Sequence, residues 1–87
     1  MEYKIDIAEV KELAGRFTVQ DLELCINQQL QEGQNVCKKN GPTEEIINEL
    51  AKANFVRELV DKGMSIQEAV RELARRIRAF KIQKQNN

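Results

Sequence analysis

Signals for helix starts and helix stops are the feature that most constrains the fold of this chain. Thr18 is followed three residues later by Asp21, and Ser65 is followed in the same way by Glu68. In this arrangement the hydroxyl oxygen accepts a hydrogen bond from the first turn of a helix, and the acid accepts one from the backbone of the cap residue. Gly33 stands where a helix that starts after Thr18 would end, because glycine readily adopts the left-handed conformation beyond a helix terminus. The pattern predicts an all-α fold.

A compact bundle of about four helices follows from these signals and from the spacing of the apolar residues. Asp6 is expected to cap the first helix and Gly15 to end it, and Gly63 is expected to end the third. All 87 residues are expected to form a single helical domain, 1–87, in which residues 83–87 are a frayed polar tail. The predicted helices cover residues 7–14, 19–32, 44–62 and 66–82.

The third helix has apolar residues on two nearly opposite sides, which a helix on the surface of a bundle does not need. Its first half presents Ile46 and Leu50, whereas its second half presents Val56 and Leu59. Either the helix is central and covered on two faces, or it breaks near residues 53–54 and restarts there. The continuous helix is favoured, because neither glycine nor proline marks a break.

The composition argues against catalysis. The chain has no histidine, and its one serine, Ser65, already has a role as a helix cap. Histidine is the commonest general base in enzymes and the commonest metal ligand. The sequence also contains no glycine-rich loop of the kind that binds phosphates. We therefore expect a protein that is not an enzyme, with no cofactor, no metal and no small-molecule substrate.

The two cysteines are interpreted through the expected location of the chain. No apolar run is longer than three residues, so no membrane span is expected, and the first residues do not resemble a secretory signal. A cytoplasmic location is expected, where Cys25 and Cys37 would be reduced thiols. Cys25 lies on the apolar face of the second helix, whereas Cys37 precedes Lys38, whose charge favours a reactive thiolate. A redox or metal-binding role stays open as an alternative to a structural one.

Charge is distributed unevenly along the chain, although the net charge is zero. Residues 1–61 carry seven Lys/Arg and twelve Asp/Glu, a net charge of −5, and residues 62–87 carry seven Lys/Arg and two Asp/Glu, a net charge of +5. A basic surface on the last helix is therefore expected. Such a surface is either solvated, or contacts an acidic partner, or binds nucleic acid.

The preferred functional interpretation is a non-catalytic protein–protein interaction module that binds a second copy of itself, as a homodimer, or another protein. It rests on the two-sided apolar character of the third helix and on the apolar face of the fourth, since uncovered apolar surface is typical of interfaces. The residues expected to bind the partner are Phe55, Val56, Leu59, Ile77 and Phe80.

The alternative interpretation is a small regulator that binds nucleic acid with a helix-turn-helix-like arrangement. Residues 62–65 would form the turn, and the last helix would enter the groove of the nucleic acid. The register fits this motif poorly, because Leu59 stands where a small residue is usual and Glu72 where an apolar one is usual. The residues expected to contact the nucleic acid are Arg71, Arg75, Arg76 and Arg78.

Overall fold

The computed structural model describes residues 7–38 and 40–85, with side chains described up to residue 79. Four helices, and no strand, account for the regular structure of this part of the chain. The predicted all-α bundle is therefore confirmed. The helices are α1 (Ile7–Arg16), α2 (Val19–Glu32), α3 (Thr43–Asp61) and α4 (Ile66–Gln85).

The start and the end of α2 agree with the prediction. The backbone N–H of Asp21 donates to Thr18 Oγ1 at 3.1 Å, and the backbone N–H of Thr18 donates to Asp21 Oδ2 at 3.2 Å. At the other end Gly33 has a φ of 76° and donates its N–H to the carbonyl of Gln29. Both termini of this helix are thus satisfied by residues close in sequence, which is why they could be recognised.

The connection between α3 and α4 also follows the prediction. Gly63 has a φ of 109° and donates to the carbonyl of Val60, while the N–H of Met64 donates to the carbonyl of Leu59. This pair of bonds is the Schellman arrangement, which satisfies the last carbonyls of a helix. The N–H of Glu68 then donates to Ser65 Oγ at 3.1 Å, so Ser65 caps α4. α4 extends past the predicted end at 82 to Gln85, and residues 86–87 of the predicted tail lie outside the described residues.

The predicted end of α1 at Gly15 is wrong. α1 continues through this residue to Arg16, and Gly15 does not have a positive φ. Arg57 Nη1 on α3 donates to the carbonyl of Ala14 in the last turn of α1 and to that of Phe17 just beyond it, at 3.0 and 3.1 Å, whereas the carbonyl of Leu13 accepts locally from the N–H of Phe17. No local signal in the sequence indicated this contact.

α3 is a continuous helix at the centre of the bundle, as the favoured interpretation predicted. It contacts α1, α2 and α4, and it runs without a break through residues 53–54. Contact with three neighbouring helices accounts for apolar residues outside a single stripe of α3. The buried core side chains of α3 are Ile46, Leu50, Ala53 and Val56.

Two apolar residues, one near the end of α2 and one in the connection that follows it, are exposed. The side chains of Leu30 and Val36 are 65% and 68% exposed. The buried face of α2 instead follows Leu22, Cys25 and Gln29. Leu30 is one position, or about 100°, away from Gln29 around the helix, which turns it to solvent.

Candidate functional site

The exposed arginines of α4 form the first candidate site. Arg71, Arg75 and Arg78 follow one another at intervals of four and three residues, which places them along one side of the helix. All three are exposed, and together with Ala74 and Ala79 they line one shallow, open groove. We call this set of five residues the basic face. The small alanines leave room between the long guanidinium side chains, so that an incoming acidic group could reach several of them.

Glu72 partly neutralises the arginines around it. Its carboxylate accepts from Arg75 Nη1 at 3.2 Å and from Arg76 Nε at 3.1 Å. Both guanidinium groups are well exposed, at 73% and 68%, so each ion pair contributes only about 0.3–0.5 kcal/mol to stability. The pairs are therefore weak enough to be exchanged for pairs with another molecule.

Arg76 is turned away from the other three predicted arginines. Its guanidinium carbon lies 5.6 Å from the centre of the Phe55 ring on α3. A contact of this kind stabilises by roughly 0.5–1 kcal/mol at an exposed site and holds the arginine against the bundle. The structure thus brings Arg71, Arg75 and Arg78 together and places Arg76 at the junction of α4 with α3.

The predicted apolar contact residues do not form one bare patch. Phe55, Leu59 and Ile77 are half-buried and pack against the hydrophobic core. Val56 has no exposed surface at all, so it has no area with which to contact a partner. The side chain of Phe80 lies outside the described residues. The apolar part of the expected surface is therefore reduced to the outer edges of Phe55, Leu59 and Ile77.

A second cluster of interacting side chains lies at the connection between α2 and α3, and sequence reasoning missed it. Asn35 is 7% exposed and forms four hydrogen bonds. Its Nδ2 donates to Gln29 Oε1 and to the carbonyl of Lys38, each at 2.8 Å. Its Oδ1 accepts from the backbone N–H groups of Cys37 and Lys38, also at 2.8 Å. Asparagine commonly closes turns in this way, which is the one local signal that could have indicated it.

The same cluster ties three helices together. Gln29, which is buried on α2, donates through Nε2 to Thr43 Oγ1 at the start of α3, at 2.9 Å. Lys38 Nζ forms an ion pair with Glu9 Oε2 on α1 at 2.7 Å, and the Lys38 side chain is only 12% exposed. Residues 35–38 are therefore fixed to α1 and α2 and, through Gln29, to α3. We call Gln29, Asn35, Cys37 and Lys38 the loop cluster.

The expectation of two reduced thiols is wrong. Cys25 and Cys37 form a disulfide, with their Cα atoms 6.1 Å apart, and both cysteines are thereby used. The reason lies in the loop cluster, because the turn closed by Asn35 brings Cys37 beside the buried face of α2. Lys38 points to Glu9, so its charge is used in that ion pair rather than at the Cys37 sulfur.

No group of three or more side chains suited to holding a metal ion occurs among the described residues. None of the described helices combines the length and apolar character needed to cross a membrane. Comparisons with protein-family models, with curated proteins and with solved structures found no match for the chain.

Proposed function

We propose that this protein is a non-catalytic interaction module that associates with a second copy of itself through the basic face of α4. The observation that carries the proposal is the row of Arg71, Arg75 and Arg78 in an open groove. Three arginines side by side repel one another, and an acidic partner relieves that repulsion. Arginine is also the charged residue most enriched at protein interfaces.

The chain itself carries the charge that would complement this face. Residues 1–61 have a net charge of −5, and residues 62–87 have a net charge of +5. Exposed acids are available at the start of α3, where Glu44 and Glu45 lie in the first turn, and near its end at Glu58. A second copy therefore offers the chemistry that the basic face fits.

Sedimentation equilibrium over a wide range of protein concentrations tests the proposal. We expect reversible association at low salt that weakens as salt is added, because exposed charges are screened within about 10 Å at 0.1 M ionic strength. The double variant Arg71→Glu/Arg75→Glu should lower the association constant at least tenfold, since two attractive contacts become repulsive. A chain that stays monomeric at the highest concentration and lowest salt would contradict self-association.

A matched control separates the basic face from overall charge. Arg16 on α1 is also exposed and also pairs with an acid one helical turn away, Glu12, at 3.4 Å. The variant Arg16→Glu makes the same kind of charge change away from α4, and Arg16→Glu/Lys11→Glu matches the change in net charge. If these controls weaken association as much as the α4 variant, the contact does not depend on the basic face.

Nucleic-acid binding is the second candidate function. It is favoured by the exposure of four arginines on α4, two of which are paired with Glu72. They are Arg71 and Arg78, together with the paired Arg75 and Arg76. In that case fluorescence anisotropy should detect binding of duplex DNA or structured RNA at low salt. The affinity should then fall steeply with salt, because each phosphate contact releases counterions. No detectable binding at low salt would contradict this function and leave the self-association proposal unaffected.

A further inference from the structure

The two cysteines of the disulfide differ in exposure. Cys25 is 2% exposed and belongs to the core, whereas Cys37 is half-buried at the edge of the connection between α2 and α3. A thiolate must approach a disulfide in line with the bond that breaks, so the sulfur it attacks has to be reachable. Of the two cysteines, only Cys37 has appreciable exposed surface, so we expect the attack there.

The position of Cys37 does not depend on the disulfide alone. Asn35 Oδ1 accepts from the backbone N–H groups of Cys37 and Lys38, and Asn35 Nδ2 donates to Gln29 on α2. The ion pair of Lys38 with Glu9 holds the same segment against α1. None of these contacts uses a sulfur atom, so breaking the bond between the sulfurs does not by itself remove them.

We propose that Cys25–Cys37 is a reversible thiol–disulfide exchange site for small thiols, in which Asn35 is a positioning residue that keeps Cys37 beside Cys25. The thiolate of the small thiol attacks the Cys37 sulfur, and a mixed disulfide forms there. The bond to Cys25 breaks, and its electron pair leaves with the Cys25 sulfur, which takes a proton from water. A second small thiolate then attacks the small-thiol sulfur of the mixed disulfide, the bond to Cys37 breaks, and the Cys37 sulfur leaves with the electron pair and takes a proton from water. Overall, two small thiols are oxidised to their disulfide and the protein gains two thiols.

The consequence is a local change rather than unfolding. Reduction removes one attachment of residues 33–42, while the bonds of Asn35 and the ion pair of Lys38 keep the segment near the bundle. Re-formation of the bond is then an intramolecular reaction between groups that are already placed. Two groups held close to each other have a high effective concentration, and this concentration falls when the contacts that hold them are lost. This inference is independent of the basic face of α4.

The test measures the effective concentration of the two thiols in buffers of reduced and oxidised glutathione, with the full chain. We expect Asn35→Ala to lower this concentration about tenfold or more, since two backbone N–H groups lose their shared acceptor. Asn35→Ser should recover part of the loss, because a hydroxyl can accept from the N–H two residues further on. Arg57→Ala, which removes contacts between α3 and the end of α1, should leave the value unchanged.

Two further measurements keep the result decisive. Mass spectrometry of the protein trapped with a small excess of glutathione should find the mixed disulfide on Cys37 and not on Cys25. Circular dichroism should show that the reduced wild-type chain keeps its helices. The proposal is overturned if the mixed disulfide forms on Cys25, if reduction unfolds the chain, or if Asn35→Ala and Arg57→Ala have the same effect on the effective concentration. If Asn35→Ala fails to fold, the test rests on Asn35→Ser alone. We then expect a smaller decrease in the effective concentration of the two thiols. The absence of any decrease would contradict the positioning role of Asn35.

Discussion

The two connections that flank α3 are built in contrasting ways. The short one, residues 62–65, is held by backbone hydrogen bonds around Gly63 and by the cap Ser65. The long one, residues 33–42, is held by side chains, because Asn35 and the disulfide of Cys37 join it to α2 and Lys38 joins it to α1. The first depends on neighbours in sequence and the second on neighbours in space.

This difference decides where substitutions act. In the short connection each hydrogen bond joins residues three to five positions apart, so a substitution changes local geometry and little else. In the long connection the bonded residues are up to 29 positions apart, as in the ion pair of Lys38 with Glu9. Closing loops of that length has an entropic cost, and the side-chain contacts offset it. The long connection should therefore be the more sensitive of the two.

The largest effect is expected from the disulfide. Replacing Cys25 and Cys37 together by alanine opens the loop that the bond closes across a separation of 12 residues. A loop of this length corresponds to about 3 kcal/mol of stability in the chain-entropy account. Urea unfolding followed by circular dichroism should show this decrease in the free energy of unfolding. If the free energy of unfolding decreases no more than it does on substitution at residues 62–65, the two connections do not differ in sensitivity.

The features that could be predicted from the sequence are those that depend on neighbours in sequence rather than on neighbours in space. The caps at Thr18 and Ser65 were predicted because each depends on a partner three residues away. The burial of Gln29 and Asn35 was not, because it depends on Thr43 and Lys38 and on how α3 packs against α2. A glutamine within an amide-rich helix gives no indication of which amide faces inward.

The candidate sites divide in the same manner. The common side of Arg71, Arg75 and Arg78 follows from helical spacing alone, so it could be predicted once α4 was recognised. The contact of Arg76 with Phe55 and the complete burial of Val56 required the packing of α4 on α3. The pairing of Cys25 with Cys37 required the fold of the long connection. Sequence therefore located residues on elements, and tertiary contacts decided which of them remain accessible.

An intermediate effect is expected in the short connection. Gly63 has a φ of 109°, and no heavy atom lies within 4 Å of where a Cβ would be, so Gly63→Ala costs only the strain of the backbone. For a residue other than glycine this strain is roughly 1–2 kcal/mol. Thermal and urea unfolding should both detect it. Gly63→Asn serves as the control and should cost less, because asparagine tolerates a positive φ better than alanine does. Equal losses would show that the φ of Gly63 is not what the connection requires.

The smallest effect, opposite in sign, is expected at Gly15, the glycine that was wrongly predicted to end α1. It lies inside the helix without a positive φ, and a Cβ there would meet nothing within 4 Å. Alanine is favoured over glycine in a helix interior by about 1 kcal/mol, and less near an end, so Gly15→Ala should raise the free energy of unfolding by roughly 0.5 kcal/mol. Gly15→Ala and Gly63→Ala are the same chemical change, so a urea titration of both variants compares the energetic effect of the two backbone conformations on the free energy of unfolding. A loss of stability at Gly15 would mean that α1 ends there after all, and that the carbonyls bound by Arg57 belong to a turn rather than to a helix.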